Sequence, residues 1–145
     1  MSLIHAEGLT KTYRIGDVEV PAVRGIDFTI EPASFVAFVG PSGSGKSTVL
    51  NMIGCLDHPS GGRISVLDTD VASLDRRASA TFRGNHIGFI FQDFNLIPVF
   101  TAYENIEYPL LMTSASAKTR ADRVTKLLDA VGLADKARNR PGQLS

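Results

Sequence analysis

Residues 35–39 read Phe-Val-Ala-Phe-Val, and Gly40-Pro41-Ser42-Gly43-Ser44-Gly45-Lys46-Ser47-Thr48 follows at once. Behind this loop Val49, Leu50, Ile53 and Leu56 stand at helical spacing until Asp57-His58-Pro59 stops the run. A short stretch that is apolar on both faces suits a strand buried inside a sheet. The order is therefore strand, glycine-rich loop, helix, and the loop fits G-x-x-x-x-G-K-[ST] in the context that gives this pattern its meaning.

Each part of the loop has a physical task. Glycines reach backbone conformations closed to other residues, so successive N–H groups can turn inward around phosphate oxygens, and the positive end of the next helix adds to the field. Lys46 would reach the β- and γ-phosphates as a mobile point charge, Ser47 would ligate Mg²⁺, and Thr48 would support the α-phosphate region. The plain alternative is a glycine-rich turn that caps a helix. Pattern and context together favour MgATP.

Around the loop the chain changes character twice. Residues 4–30 alternate apolar and polar, with turn signals at Gly16-Asp17 and Gly25, and predict an antiparallel β region. A strand over 63–67 and a polar helix over 73–82 follow, then a second apolar run, 87–91, before Gln92. Two buried-strand signals separated by a helix predict a parallel sheet. Beyond Gln92 the sequence turns helical: Val124, Leu127, Leu128 and Val131 fall at i, i+3, i+4 and i+7, with Gly132 as the stop.

Composition narrows the partners. Fifteen basic residues balance fifteen acidic ones with no long run of like charge, so no nucleic-acid partner is expected. No stretch approaches the roughly 18 apolar residues needed to cross a bilayer, so any membrane role works through another subunit. The lone Cys55 excludes a disulfide framework, and on the apolar side of its helix it reads as core. Asp68 and Asp70 read as a solvated turn, and His5, His58 and His86 are dispersed.

The loop alone leaves a transport ATPase and a nucleotide kinase both open, since "GPSGSGKST" also resembles the loop of guanylate-type kinases. Position separates them, because about forty residues of β pattern precede this loop. With "LTKTYRIG", "IGFIFQDFNLIP", "TAYENIEYPLL" and "ADRVTKLLDAVGL" added, the chain resembles the nucleotide-binding subunit of ABC transporters over nearly its whole length. "GCLDHPSGG", "NHIGFIFQDFNLIP" and "GDVEVPAVRGIDF" are most similar to the subgroup serving lipoprotein release, macrolide export and the cell-division ABC complex.

The resemblance implies an α/β fold: an incomplete P-loop NTPase core (35–92), an N-terminal antiparallel β subdomain (1–34) and a C-terminal helical subdomain (93–145). It implies that Tyr13 stacks on adenine, a contact worth on the order of 1–3 kcal/mol by analogy with base stacking. It makes Gln92 the glutamine that contacts Mg²⁺ or the attacking water, at the C-terminal edge of its strand. It makes "RPGQLS" the lead-in to the signature motif, with Ser145 touching the γ-phosphate held by the opposite subunit of a head-to-tail dimer.

The implied partners are that second ATPase subunit and a transmembrane permease, and the implied place is the cytoplasmic face of the membrane. Hydrolysis further needs a Walker B aspartate and a water-activating glutamate. No apolar run followed by Asp-Glu occurs here to supply them, so the 145 residues alone are expected to be inactive. The resemblance also implies later strands that complete the sheet, so the 145 residues alone, with unpaired edges and apolar surface, are expected to be poorly soluble or partly unfolded. A truncated, non-catalytic paralogue that binds the permease is the other reading. One local departure stands out: the family has Gly-Glu after the proline where this chain has Ala33-Ser34, and alanine permits a type I turn but resists a positive φ.

Overall fold

The computed structural model describes residues 2–144. The chain divides into two compact units between Phe89 and Ile90.

The first unit is built on a long hairpin, β1 (Ile4–Ile15) and β2 (Val18–Ile30). Gly16, at φ 59°, opens its two-residue turn, the position where a type II′ turn demands a positive φ. β3 (Gly61–Val66) pairs with the other edge of β1 and β4 (Thr69–Asp70) with β3, which gives the order β2-β1-β3-β4 with every pairing antiparallel. The antiparallel region therefore draws on residues 61–70 as well as on the first part of the chain. Pro21 sits in β2, an edge strand that can spare its N–H.

Gly25 is not a turn. The register steps from Leu9 opposite Ile26 to Thr10 opposite Arg24, so Gly25 is an extra residue within β2, at φ 82°. A second step, from Lys11 opposite Val23 to Thr12 opposite Pro21, makes Ala22 an extra residue too.

One core joins the sheet to α1 (Lys46–Ile53). Leu9, Met52 and Ile64 are fully buried, with Val23, Val49 and Cys55 beside them. The helix therefore turns Val49 and Met52 inward, whereas Leu50 and Leu56, which helical spacing placed on the apolar face, are half exposed. α2 (Arg76–His86) begins at Asp75, whose carboxylate accepts from Ala78 N at 2.7 Å. Ser73, the expected start, belongs to a short 3₁₀ turn capped by Asp70.

The two apolar runs expected to be buried parallel strands are not strands. Residues 35–39 and 87–91 lie in irregular backbone, with Phe35 98% and Val39 92% exposed. Extended apolar chain becomes a strand only beside a neighbour that takes its N–H and C=O groups. Composition reports the preference for burial and says nothing of the partner. Phe38 alone of the first run turns to the core, edge-on to Phe28 with ring centroids 5.5 Å apart.

The second unit holds α3 (Ala102–Leu110) and α4 (Ala117–Ala130), packed through Ala102, Val124 and Leu128. Thr101 and Glu104 form a capping box on α3, and Ser116 caps α4. Gly132, at φ 68°, ends α4 as its sequence position predicts. Leu127 and Val131 face outward, so the buried stripe is narrower than the pattern suggests.

Between β2 and the loop the turn Glu31-Pro32-Ala33-Ser34 carries a strain the sequence argued against. Ala33 takes φ 58°, the mark of a type II rather than a type I turn, while Ser34 Oγ donates to Glu31 O at 2.5 Å. A left-handed alanine costs roughly 1–2 kcal/mol, and a glycine there would add about 0.4–1 kcal/mol of unfolded-state freedom. Relief outweighs entropy. Ala33→Gly is expected to stabilise the protein by about 0.5 kcal/mol, with Ala33→Val destabilising, as read from urea midpoints.

Candidate functional site

α1 starts without a side-chain cap: Gly45 is its N-cap residue, in the left-handed region at φ 90°. The first-turn N–H groups are thus left to whatever lies in front of the helix. Gly43, at φ 78°, sets the other bend of the loop. At Gly45 a Cβ would collide with the carbonyl oxygen of Ala22, the extra residue of β2. Here the bulge sets a backbone carbonyl against the loop, and only glycine fits between them.

Lys46 folds back across the loop. Its ammonium donates to Gly40 O at 2.9 Å, Pro41 O at 2.7 Å and Ser44 Oγ at 3.3 Å, so all three of its donors are directed to the loop. Ser44 N also donates to Pro41 O. Together with residues 20–22 of β2, residues 42, 43 and 45–48 line a cleft of about 360 Å³. Ser42, Lys46, Ser47 and Thr48 all face it.

Beside the loop lies a polar cluster that sequence patterning did not single out. Tyr13, paired with Val20, donates its hydroxyl to Asp57 Oδ2 at 2.8 Å. Lys11 donates to Asp57 Oδ1 at 2.5 Å and to His58 O at 2.7 Å, and its ammonium lies 4.9 Å from the centroid of the Tyr13 ring. His58 N donates to Asp57 Oδ1 at 2.8 Å. Lys11 and Tyr13 are two apart on one strand, the spacing that brings side chains to one face; no local signal couples them to Asp57, 44 residues on from Tyr13.

Burial and the bond to Asp57 push the Tyr13 hydroxyl above its ordinary value, with Thr48 acting the other way. For Asp57, burial pulls upward, but the bonds from Lys11, Tyr13 and His58 N together hold its carboxyl below the usual range.

Gln92 belongs to the second unit, on an exposed bend rather than at a strand end, because residues 87–91 form no strand. Ser145 lies outside the described residues. The histidines remain dispersed: His5 pairs with Thr29 Oγ1, His58 Nε2 with Leu74 O, and His86 lies tilted against Phe82 with ring centroids 4.8 Å apart. Asp70 is spent on its cap, Cys55 is buried, and no group of three metal-ligating side chains occurs among the described residues.

A family model described as "ABC transporter" matches residues 23–145. The chain belongs to the ABC transporter family. That membership sets aside the nucleotide-kinase reading of the loop. The macrolide export ATP-binding/permease protein MacB of Marinobacter nauticus is 43% identical over 99% of this chain, which spans 22% of that relative. An uncharacterized ABC transporter ATP-binding protein of Thermotoga maritima is 44% identical over 93% of the chain, which covers 58% of it.

A solved dimeric ATP-binding cassette in a post-hydrolysis state, bound to ADP and Pi, superposes with a TM-score of 0.84 at 39% identity, over 98% of this chain and 63% of that one. This ABC chain therefore spans only part of the length of its relatives. Its fold is the cassette's α/β fold with the antiparallel sheet at the N-terminus.

Asp57 gives the site a dependence on acid. Its folded-state pKa is depressed, so its stabilisation is fully present above the ordinary value of 3.8 and is lost as pH falls through the lower folded value. Asp57→Asn is expected to cost roughly 1–3 kcal/mol at pH 7. Urea titrations stepped down below pH 3.8 should show wild type and variant converging.

Proposed function

We propose that this chain is the ATP-binding part of an ABC transporter ATPase that couples MgATP binding and hydrolysis to a membrane permease, of the macrolide-export or lipoprotein-release type. The observation that carries the reading is the loop: an uncapped helix N-terminus, two left-handed glycines and a lysine ammonium converge on one cleft. Such a cradle suits the phosphates of a nucleotide.

In this reading residues 40–48 bind the triphosphate. Gly40, Pro41, Ser42, Gly43, Ser44 and Gly45 present backbone N–H groups or shape the loop that does. Lys46 exchanges its loop carbonyls for β- and γ-phosphate oxygens, and Thr48 supports the α-phosphate. Tyr13 offers its ring to adenine, an assignment supported by its position beside Val20 and Thr48 at the rim of the cleft.

Ser47 supplies one oxygen for Mg²⁺. A single hydroxyl fits that ion, which takes most of its ligands from phosphates and water. When bound, the metal neutralises charge on the β- and γ-oxygens. Gln92 is proposed to face the metal or the attacking water, and Ser145 to contact nucleotide held by a second copy in a head-to-tail dimer. The dimeric cassette with ADP and Pi supports both dimerisation and nucleotide binding.

Hydrolysis and transport belong to the whole protein, since no sequence here supplies the water-activating glutamate. The 145 residues by themselves are proposed to bind nucleotide without turning it over. No helix among the described residues is long and apolar enough to cross a membrane. Attachment to the cytoplasmic face through a permease is accordingly part of the proposal, and the name of the MacB relative, which joins ATP-binding and permease functions, supports it.

Lys46→Ala should abolish most MgATP binding in calorimetric titration, a loss of at least about tenfold, or 1.4 kcal/mol, for a charge-assisted phosphate contact. Unchanged affinity would overturn the reading.

A further inference from the structure

A tyrosine ring near the turn of a hairpin has two free torsions, and pairing with Val20 fixes only its backbone. The side chain is nonetheless held at two places. Its hydroxyl is bound by Asp57 Oδ2 at 2.8 Å and its ring is approached by the Lys11 ammonium at 4.9 Å. Both holders meet at one carboxylate: Asp57 Oδ1 takes Lys11 Nζ and His58 N, while Oδ2 is given to Tyr13.

That carboxylate is itself anchored. Asp57 N and Leu56 N both donate to Asn51 O, which ties Asp57 to the last turns of α1. His58, the next residue, is pinned by Nε2 at Leu74 O and receives the second Lys11 bond at its carbonyl. The start of α1 is the glycine-rich loop proposed above to hold the phosphates. One short helix therefore carries the phosphate cradle at its first residue and, four residues past its last, the group that orients Tyr13.

We propose that Asp57 is a positioning residue for nucleotide binding, acting through Tyr13. With Lys11, it sets the ring before the nucleotide arrives and ties it to the helix that holds the phosphates. The inference rests on the reading that Tyr13 receives the base. Its energetic content is preorganisation: a side chain already immobilised costs the ligand nothing to order.

The test separates base from phosphate. In the intact protein, calorimetry with MgATP and with magnesium tripolyphosphate is compared for wild type, Asp57→Ala, Tyr13→Phe and the double variant, with Asp57→Asn as the shape-conserving substitute should the alanine variant fail to fold. Each single change should weaken ATP by about three- to tenfold, and the double change by no more than Asp57→Ala alone, because the bond that Tyr13→Phe removes is already lost with the carboxylate. Tripolyphosphate should change by less than about twofold.

Wild-type ATP affinity in Asp57→Ala, multiplied effects in the double variant, or equal weakening of both ligands would overturn the proposal. The last result would mean that Asp57 supports the loop rather than the ring. Tyr13→Ala distinguishes the underlying reading: if it leaves ATP affinity unchanged, Tyr13 does not receive the base, and the role of Asp57 falls with it.

Discussion

Everything at the candidate site hangs from the burial of one face of α1 on the sheet. Val49 and Met52 enter the space between Leu9, Val23 and Ile64, and complete burial of such side chains contributes roughly 1.5–3 kcal/mol each. This packing does more than stabilise. It presses the start of the helix against β2, so Gly45 stands against the Ala22 carbonyl and the loop has one path around the helix end. A looser helix would leave the same sequence motif without a fixed cradle.

The sheet contributes its irregularities as much as its regular pairing. The extra residue at Ala22 aims a backbone carbonyl at the loop, and the one at Gly25 shifts the register of β2 against β1 between Arg24 and Ile26. Gly8 N, beside another register step, is taken up by Asp27 Oδ1 at 2.6 Å, so the irregular pairing costs no unsatisfied donor there. Electrostatics then joins distant pieces of chain. Lys11 and Tyr13 on β1 meet Asp57 past the end of α1, and the carboxylate stays charged because three donors outweigh its partial burial.

The sequence was most legible where structure is local. Gly16 at the hairpin turn, Gly132 after α4 and Gly43 and Gly45 of the loop all sit where their backbone freedom is used. It was least legible where burial depends on a partner. Residues 35–39 and 87–91 have the composition of inner strands, yet form none among the described residues, because a ladder needs a neighbour. Helical spacing found α1 and α4 but widened or rotated their buried faces, since periodicity cannot tell Leu50 from Met52 when both are apolar. Ala33 shows a further limit: the turn's path set a φ that its residue alone resists.

By itself the sequence determined the glycine-rich loop, its place before a helix, the hairpin that precedes it and the family to which these parts belong. Those features are encoded in residues a few positions apart, where backbone preference and charge act directly. Only the tertiary structure decided that Ala22 would close against Gly45, that Lys46 would span both ends of its loop, and that Asp57 would gather Lys11, Tyr13 and His58 N. Hydrogen bonds and ion pairs act over a few ångströms, and which groups come that close is settled by how the helix and sheet bury their apolar faces together.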